Sequence, residues 1–191
     1  MYDRGTGHSY LLFKNNTSSY ITVGYASVAP GSNVSIGLWT TSTIGSMIGS
    51  SSSLTNLTDG VIYDYESCIY NVTEFTTNEK YVTSVISSST LSSLSSKIIE
   101  KNNDYNLVTY NCATFATELW NIATGTSYWT GWFRSPGNVL HEIETDYTST
   151  YHTGTGDLTI KNHFRKYQGY NNYTVYTLWN VKNLSFKLLI Y

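Results

Sequence analysis

Charge is what this chain has least of. Only 13% of its 191 residues are Asp, Glu, Lys or Arg, about half the share usual in a soluble domain. Ser, Thr, Asn and Tyr must therefore cover the surface. A net charge of -2 supplies no basic footprint, which argues against nucleic acid or an anionic membrane as partner. Two cysteines, Cys68 and Cys112, allow one bridge at most and exclude a disulfide framework. No apolar run reaches membrane-span length: Val181–Tyr191 is broken by Lys182, Asn183 and Lys187, so no membrane span is expected. Met1-Tyr2-Asp3-Arg4-Gly5 opens without an apolar h-region. That leaves a cytosolic chain or one whose leader has been removed. The Lys-poor, Tyr/Asn/Ser/Thr-rich composition favours the second, a secreted or cell-surface protein. His8, His141, His152 and His163 are scattered, with no His-Glu-x-x-His or Cys-x-x-Cys spacing, so neither metal nor cofactor is expected.

What the chain does have is aromatic bulk. Eighteen Tyr and 15% aromatics can bury enough apolar area to offset ordering entropy, which excludes a disordered chain. The length suits one domain, and with no repeat or linker in view residues 1–191 read as a single, monomeric α+β unit. Sequons at Asn33, Asn71, Asn172 and Asn183 carry no weight in a chain so rich in Asn, Ser and Thr.

Period and punctuation outline the elements. His8–Lys14, Tyr20–Val28 and Asn33–Trp39 read as three strands of a meander, with a Pro30-Gly31 turn before the third. Thr40–Gly60 reads as a Ser/Thr/Gly loop. Gly60–Val72 alternates as a strand, with Ile62, Asp64, Glu66 and Cys68 on one face. Thr76–Glu79 resembles a helix start, with Tyr81, Val82, Val85 and Ile86 following at helical spacing. Further helices are expected at Leu91–Lys101, at Cys112–Ala123 behind an Asn111 cap, and at Asn138–Glu144. The remainder, 147–191, reads as a β-rich extension whose clearest strands are Tyr173–Trp179 and Leu184–Tyr191.

Three positions carry chemistry. Cys112 follows a helix cap, where free N–H groups and the helix dipole stabilise a thiolate and could also hold an oxyanion. The competing reading is a small buried hydrophobe. His8 opens a strand behind Gly5-Thr6-Gly7 and could equally be a structural histidine. A Cys–His pair needs a third group to orient the imidazole. Glu66 is the candidate, Asp64 the runner-up and Thr22 a further option, while a solvated strand face is the plain alternative for both acids.

Gly7-His8-Ser9-Tyr10-Leu11-Leu12 before a strand, with Tyr110-Asn111-Cys112-Ala113-Thr114-Phe115-Ala116 opening a helix far downstream, resembles the circularly permuted NlpC/P60 and papain-like superfamily. The resemblance covers mainly these two motifs and the His-before-Cys order. It implies an antiparallel sheet or barrel packed against a Cys-bearing helix. It also implies a cysteine peptidase, amidase or acyltransferase acting on a peptide or acyl substrate such as cell-wall peptides. Cys112 would then be nucleophile, His8 base, Glu66 orienting acid and Asn111 an oxyanion or orienting group. Two rivals stand beside it. One is a non-catalytic carbohydrate- or peptide-binding module built on Trp129, Trp132 and Phe133. The other is a structural Cys68–Cys112 disulfide.

Overall fold

The structure, a computed structural model, describes residues 7–40, 58–72, 80–127, 134–146, 151–153 and 156–177. It is a mixed α+β arrangement in chain order β1 (Tyr10–Lys14), β2 (Ile21–Val23), β3 (Ala26–Val28), β4 (Asn33–Trp39), β5 (Gly60–Tyr63), α1 (Tyr65–Val72), β6 (Lys80–Tyr81), α2 (Ser88–Glu100), α3 (Cys112–Thr124), α4 (Pro136–Asp146), β7 (His152–Thr153), β8 (His163–Gly169) and β9 (Asn172–Thr177). Five strands form one sheet in the order β1-β4-β5-β8-β9, with every neighbouring pair antiparallel. The sheet is open, with β1 and β9 at its edges, so the expected barrel is not formed by the described residues.

The first turn follows its residues. Pro30 and Gly31 sit at the centre of a turn closed by Ser32 N–H to Ala29 C=O at 3.1 Å, and Gly31 takes φ +71, which glycine adopts without steric cost. The expected strand Tyr20–Val28 is instead a hairpin. Gly24 at φ +59 turns the chain so that Val23 pairs with Ala26. A glycine is required there, because a Cβ would lie 2.3 Å from the Tyr63 hydroxyl. The resulting β2–β3 pair forms its own two-stranded sheet, and β1 pairs directly with β4, so the meander is replaced by a strand pair carrying a hairpin in its connection.

Strand β4 is buried along its whole length because helices cover both its faces. Val34, Ile36 and Leu38 join Val61, Tyr63, Leu94, Ile98, Phe115 and Leu119 in the main core, each full burial being worth about 1.5–3 kcal/mol. Ser35, Gly37 and Trp39 face the other way, toward Ser67 and Glu66 of α1.

The expected strand Gly60–Val72 stops at Tyr63. Asp64 takes φ +66, a conformation Asp tolerates better than most residues, and its carbonyl accepts the Cys68 N–H to begin α1. The alternation was misleading because Val61 through Cys68 are all buried, so no face pattern marked the change of element. The helical reading of Tyr81–Ile86 also fails. Tyr81 pairs with His152 in β6–β7, 82–87 hold no regular structure, and Val85 is 98% exposed. Residues 76–79, the loop 41–57, the aromatics at 129, 132 and 133, and the strand at 184–191 lie outside the described residues. Within 147–191, β8 and β9 are strands of the central sheet, reached through a pairing of Tyr63 with Arg165.

Candidate active site

Helix α3 begins as its sequence demands. Asn111, extended at φ -107 and ψ -175, accepts the Ala113 and Thr114 N–H groups through Oδ1 at 3.0 and 3.1 Å. Its Nδ2 donates to the Leu107 and Arg134 carbonyls at 3.1 and 2.7 Å. Both ends of the buried amide are thus committed to holding the helix start. Asn111 is an orienting group for the helix, and its side chain has no donor to spare for an oxyanion, which corrects half of its expected role. Cys112, the first helical residue, stays partly exposed.

The start of the chain's described part runs past this helix end. His8 lies just before β1, and its imidazole and the Cys112 thiol act on each other electrostatically, with the Ser9 and Ala113 backbone contributing at the same sulfur. His8 Nε2 meets Glu66 Oε1 at 3.0 Å. Glu66 sits in the first turn of α1 and is 2% exposed. Its Oε1 also accepts the Trp39 indole N–H at 2.8 Å, and the Trp39 ring lies on the His8 ring with centroids 3.7 Å apart. Cys112, His8 and Glu66 therefore come together from α3, the lead into β1, and α1.

Electrostatics favours charge separation along this line. Burial pushes the His8 imidazole down, but hydrogen bonds and charge attraction from Cys112 and Glu66 outweigh it and hold His8 up at about 9. For Cys112 burial works against ionisation, yet His8 and the Ser9 and Ala113 N–H groups bring the thiol below its ordinary value. Each group thus favours the charged form of the other, which shifts the pair toward thiolate and imidazolium. The set can deliver a nucleophilic sulfur, a proton donor and acceptor, and a carboxylate that fixes the ring.

The other candidates fall elsewhere. Asp64 is fully buried, and its carboxylate takes Lys161 Nζ and Arg165 NH2 at 2.7 Å each and the Ser35 N–H at 3.3 Å. It clasps β8 and the preceding loop to β4 and β5, so it is a structural acid. Neither acid lies on a solvated strand face. Thr22 is exposed on β2, where its carbonyl accepts Ser95 Oγ at 3.0 Å. Cys68 is buried and free, as Cys112 is free, and burial pushes the Cys68 thiol up to about 12. Among the described residues no group of three or more His, Cys, Asp or Glu side chains is placed to hold a metal ion.

Sequence reasoning missed three contributors. Gly37, mid-strand in β4, faces the site so closely that a Cβ would sit 2.0 Å from Glu66 Oε1 and 2.6 Å from His8 Nε2. A glycine inside a strand marks such close approach, so that signal was present. Trp39 carried none beyond being aromatic. Tyr105 lines a pocket of ≈ 490 Å³ with Lys101, Asp104, Asn106, Thr109 and Tyr110, and after burial it is the Cys112 charge that pushes its phenol up.

Comparison with protein-family models finds no match, and neither curated proteins nor solved structures match the chain significantly.

Proposed function

We propose that this chain is a cysteine hydrolase of the permuted papain-like, NlpC/P60-related kind, acting on amide or ester bonds. The supporting observation is the grouping of Glu66, His8 and Cys112, with the imidazole Nε2 on the buried acid at 3.0 Å and the same imidazole electrostatically coupled to a partly exposed thiol at a helix start. A structural cysteine has no need of an imidazole neighbour and a helix start. The His-before-Cys order and the antiparallel sheet behind the cysteine helix agree with the permuted arrangement.

In the reaction, the Cys112 thiolate attacks the carbonyl carbon and forms a C–S bond, while the carbonyl oxygen takes the negative charge. The Cys112 backbone N–H would serve as oxyanion donor, since Asn111 Oδ1 engages the next two N–H groups. Collapse breaks the bond to the leaving nitrogen or oxygen, which takes the proton from the His8 imidazolium. Water, deprotonated by His8, then attacks the thioester and releases the acid and the thiol. Glu66 keeps the ring aligned and its positive charge balanced throughout. A surface low in charge and rich in Tyr suits a peptide, cell-wall peptides being the leading class, outside the cell or at its surface.

The test uses p-nitrophenyl acetate and iodoacetamide. The expected result is a burst of nitrophenolate with acetyl on Cys112, and carboxamidomethylation at Cys112 at neutral pH. Both should vanish in Cys112→Ala. Absence of acylation, together with alkylation no faster than in the urea-unfolded chain, overturns the proposal.

A further inference from the structure

Trp39 meets the site twice. Its indole N–H donates to Glu66 Oε1 at 2.8 Å, on the same oxygen that receives His8 Nε2 at 3.0 Å, and its ring covers the His8 ring at 3.7 Å. The other carboxylate oxygen, Oε2, is buried and has no hydrogen-bond partner among the described residues. One oxygen therefore carries both donors, and no described residue anchors the second. Trp39 itself is held by Tyr65, packed edge-on at 4.7 Å, and is 5% exposed.

We infer that Trp39 is the positioning residue of this site: its N–H pins Glu66 in the rotamer that faces His8, and its ring seals the shared hydrogen bond from water. Gly37 supplies the opening in which the three groups meet, because a Cβ there would also lie 2.6 Å from the indole nitrogen. The physical reasoning is direct. A carboxylate at 2% exposure is held in one geometry by its donors, and Glu66 has two, both on Oε1. Removing one of them frees the group to rotate, so the imidazolium loses its support. The other ionisable groups facing His8 are Cys112 from α3 and, more distantly, Tyr10 from β1, stacked at 6.0 Å. Tyr65 faces Glu66 from within α1.

This inference rests on the thiolate–imidazolium reading, and the experiment separates the two. Titration of the His8 ring resonances by NMR in wild type and Trp39→Phe reads the imidazolium directly. Phe keeps an aromatic face but has no N–H. The expected result is wild-type titration near 9 and a Trp39→Phe midpoint about one pH unit lower, a tenfold loss of imidazolium at fixed pH on the alkaline side. Alkylation of Cys112 should slow in parallel. Leu94→Ala, a core change on α2 at a residue outside the Glu66–His8–Cys112 set, controls for general destabilisation and should leave the midpoint at the wild-type value. A Trp39→Phe midpoint equal to wild type, or moved no further than in Leu94→Ala, overturns the role of Trp39. A wild-type midpoint in the ordinary histidine range overturns the underlying reading and the inference with it. Gly37→Ala should lower the midpoint even where it folds poorly; a folded Gly37→Ala with wild-type titration refutes the steric argument.

Discussion

Replacing Asp64 by Asn and Glu66 by Gln separates two buried acids that stand two residues apart. Asn is nearly isosteric with Asp and tolerates the left-handed backbone, φ +66, that residue 64 adopts, so Asp64→Asn removes charge without adding strain. It strips the counter-ion from Lys161 and Arg165, whose side chains are each 21% exposed against 0% for Asp64. Breaking a fully buried pair costs about 3–5 kcal/mol. Partial hydration of the two cations reduces this to roughly 2–4 kcal/mol here. With a urea slope of about 2 kcal/mol/M for a small domain, the unfolding midpoint should fall by about 1–2 M. In native buffer, Asp64→Asn should still acylate and alkylate at Cys112. Glu66→Gln should do the reverse: the fold survives, because Gln can still accept from Trp39 and His8, while Cys112 reactivity drops at least about tenfold with the loss of the charge behind the imidazolium. Equal stability loss in both variants, or wild-type reactivity in Glu66→Gln, refutes this division of labour.

Other tests reach different parts of the molecule. Native labelling should modify one thiol and unfolding a second, because Cys68 is buried with its thiol pushed up to about 12; mass spectrometry without reductant that finds a Cys68–Cys112 bridge contradicts this. Asn111→Ala should cost about 1–2 kcal/mol in urea unfolding through loss of the cap. Asn111→Asp keeps the cap acceptor but loses the donors to Leu107 and Arg134, and should fall between. His8 is held at about 9 against an ordinary 6.5, so folding favours its protonated form. The stabilisation is complete below pH 6.5 and is lost as pH rises through about 9. A fall in the wild-type urea midpoint between pH 6 and pH 10 that is smaller in His8→Gln is the expected signature.

The elements legible in the sequence were those whose termini carry their own chemistry. Asn33–Trp39 begins after a Pro-Gly turn, and Cys112–Thr124 begins at an Asn cap and ends at Gly125 with φ +70; both were expected within a residue. Gly60–Val72 was misread because tertiary burial on every side erased the periodicity that separates a strand from a helix. Glu66 could still be named from chemistry alone, as an acid among aromatic and apolar residues. Its separation from Asp64 could not, since that depends on Lys161 and Arg165 arriving from about a hundred residues downstream. Asn111 shows the same limit: its cap was readable, but the second use of its amide depends on where Arg134 lies.

The proposed base precedes the proposed nucleophile by 104 positions, and the acid lies between them on a third element. No stretch of chain shorter than that brings the three groups together. On the proposed reading Cys112 is an ordinary cysteine during synthesis, and its activation would be switched on by the closing of β1, α1 and α3 around one sheet. Folding itself is the safety catch.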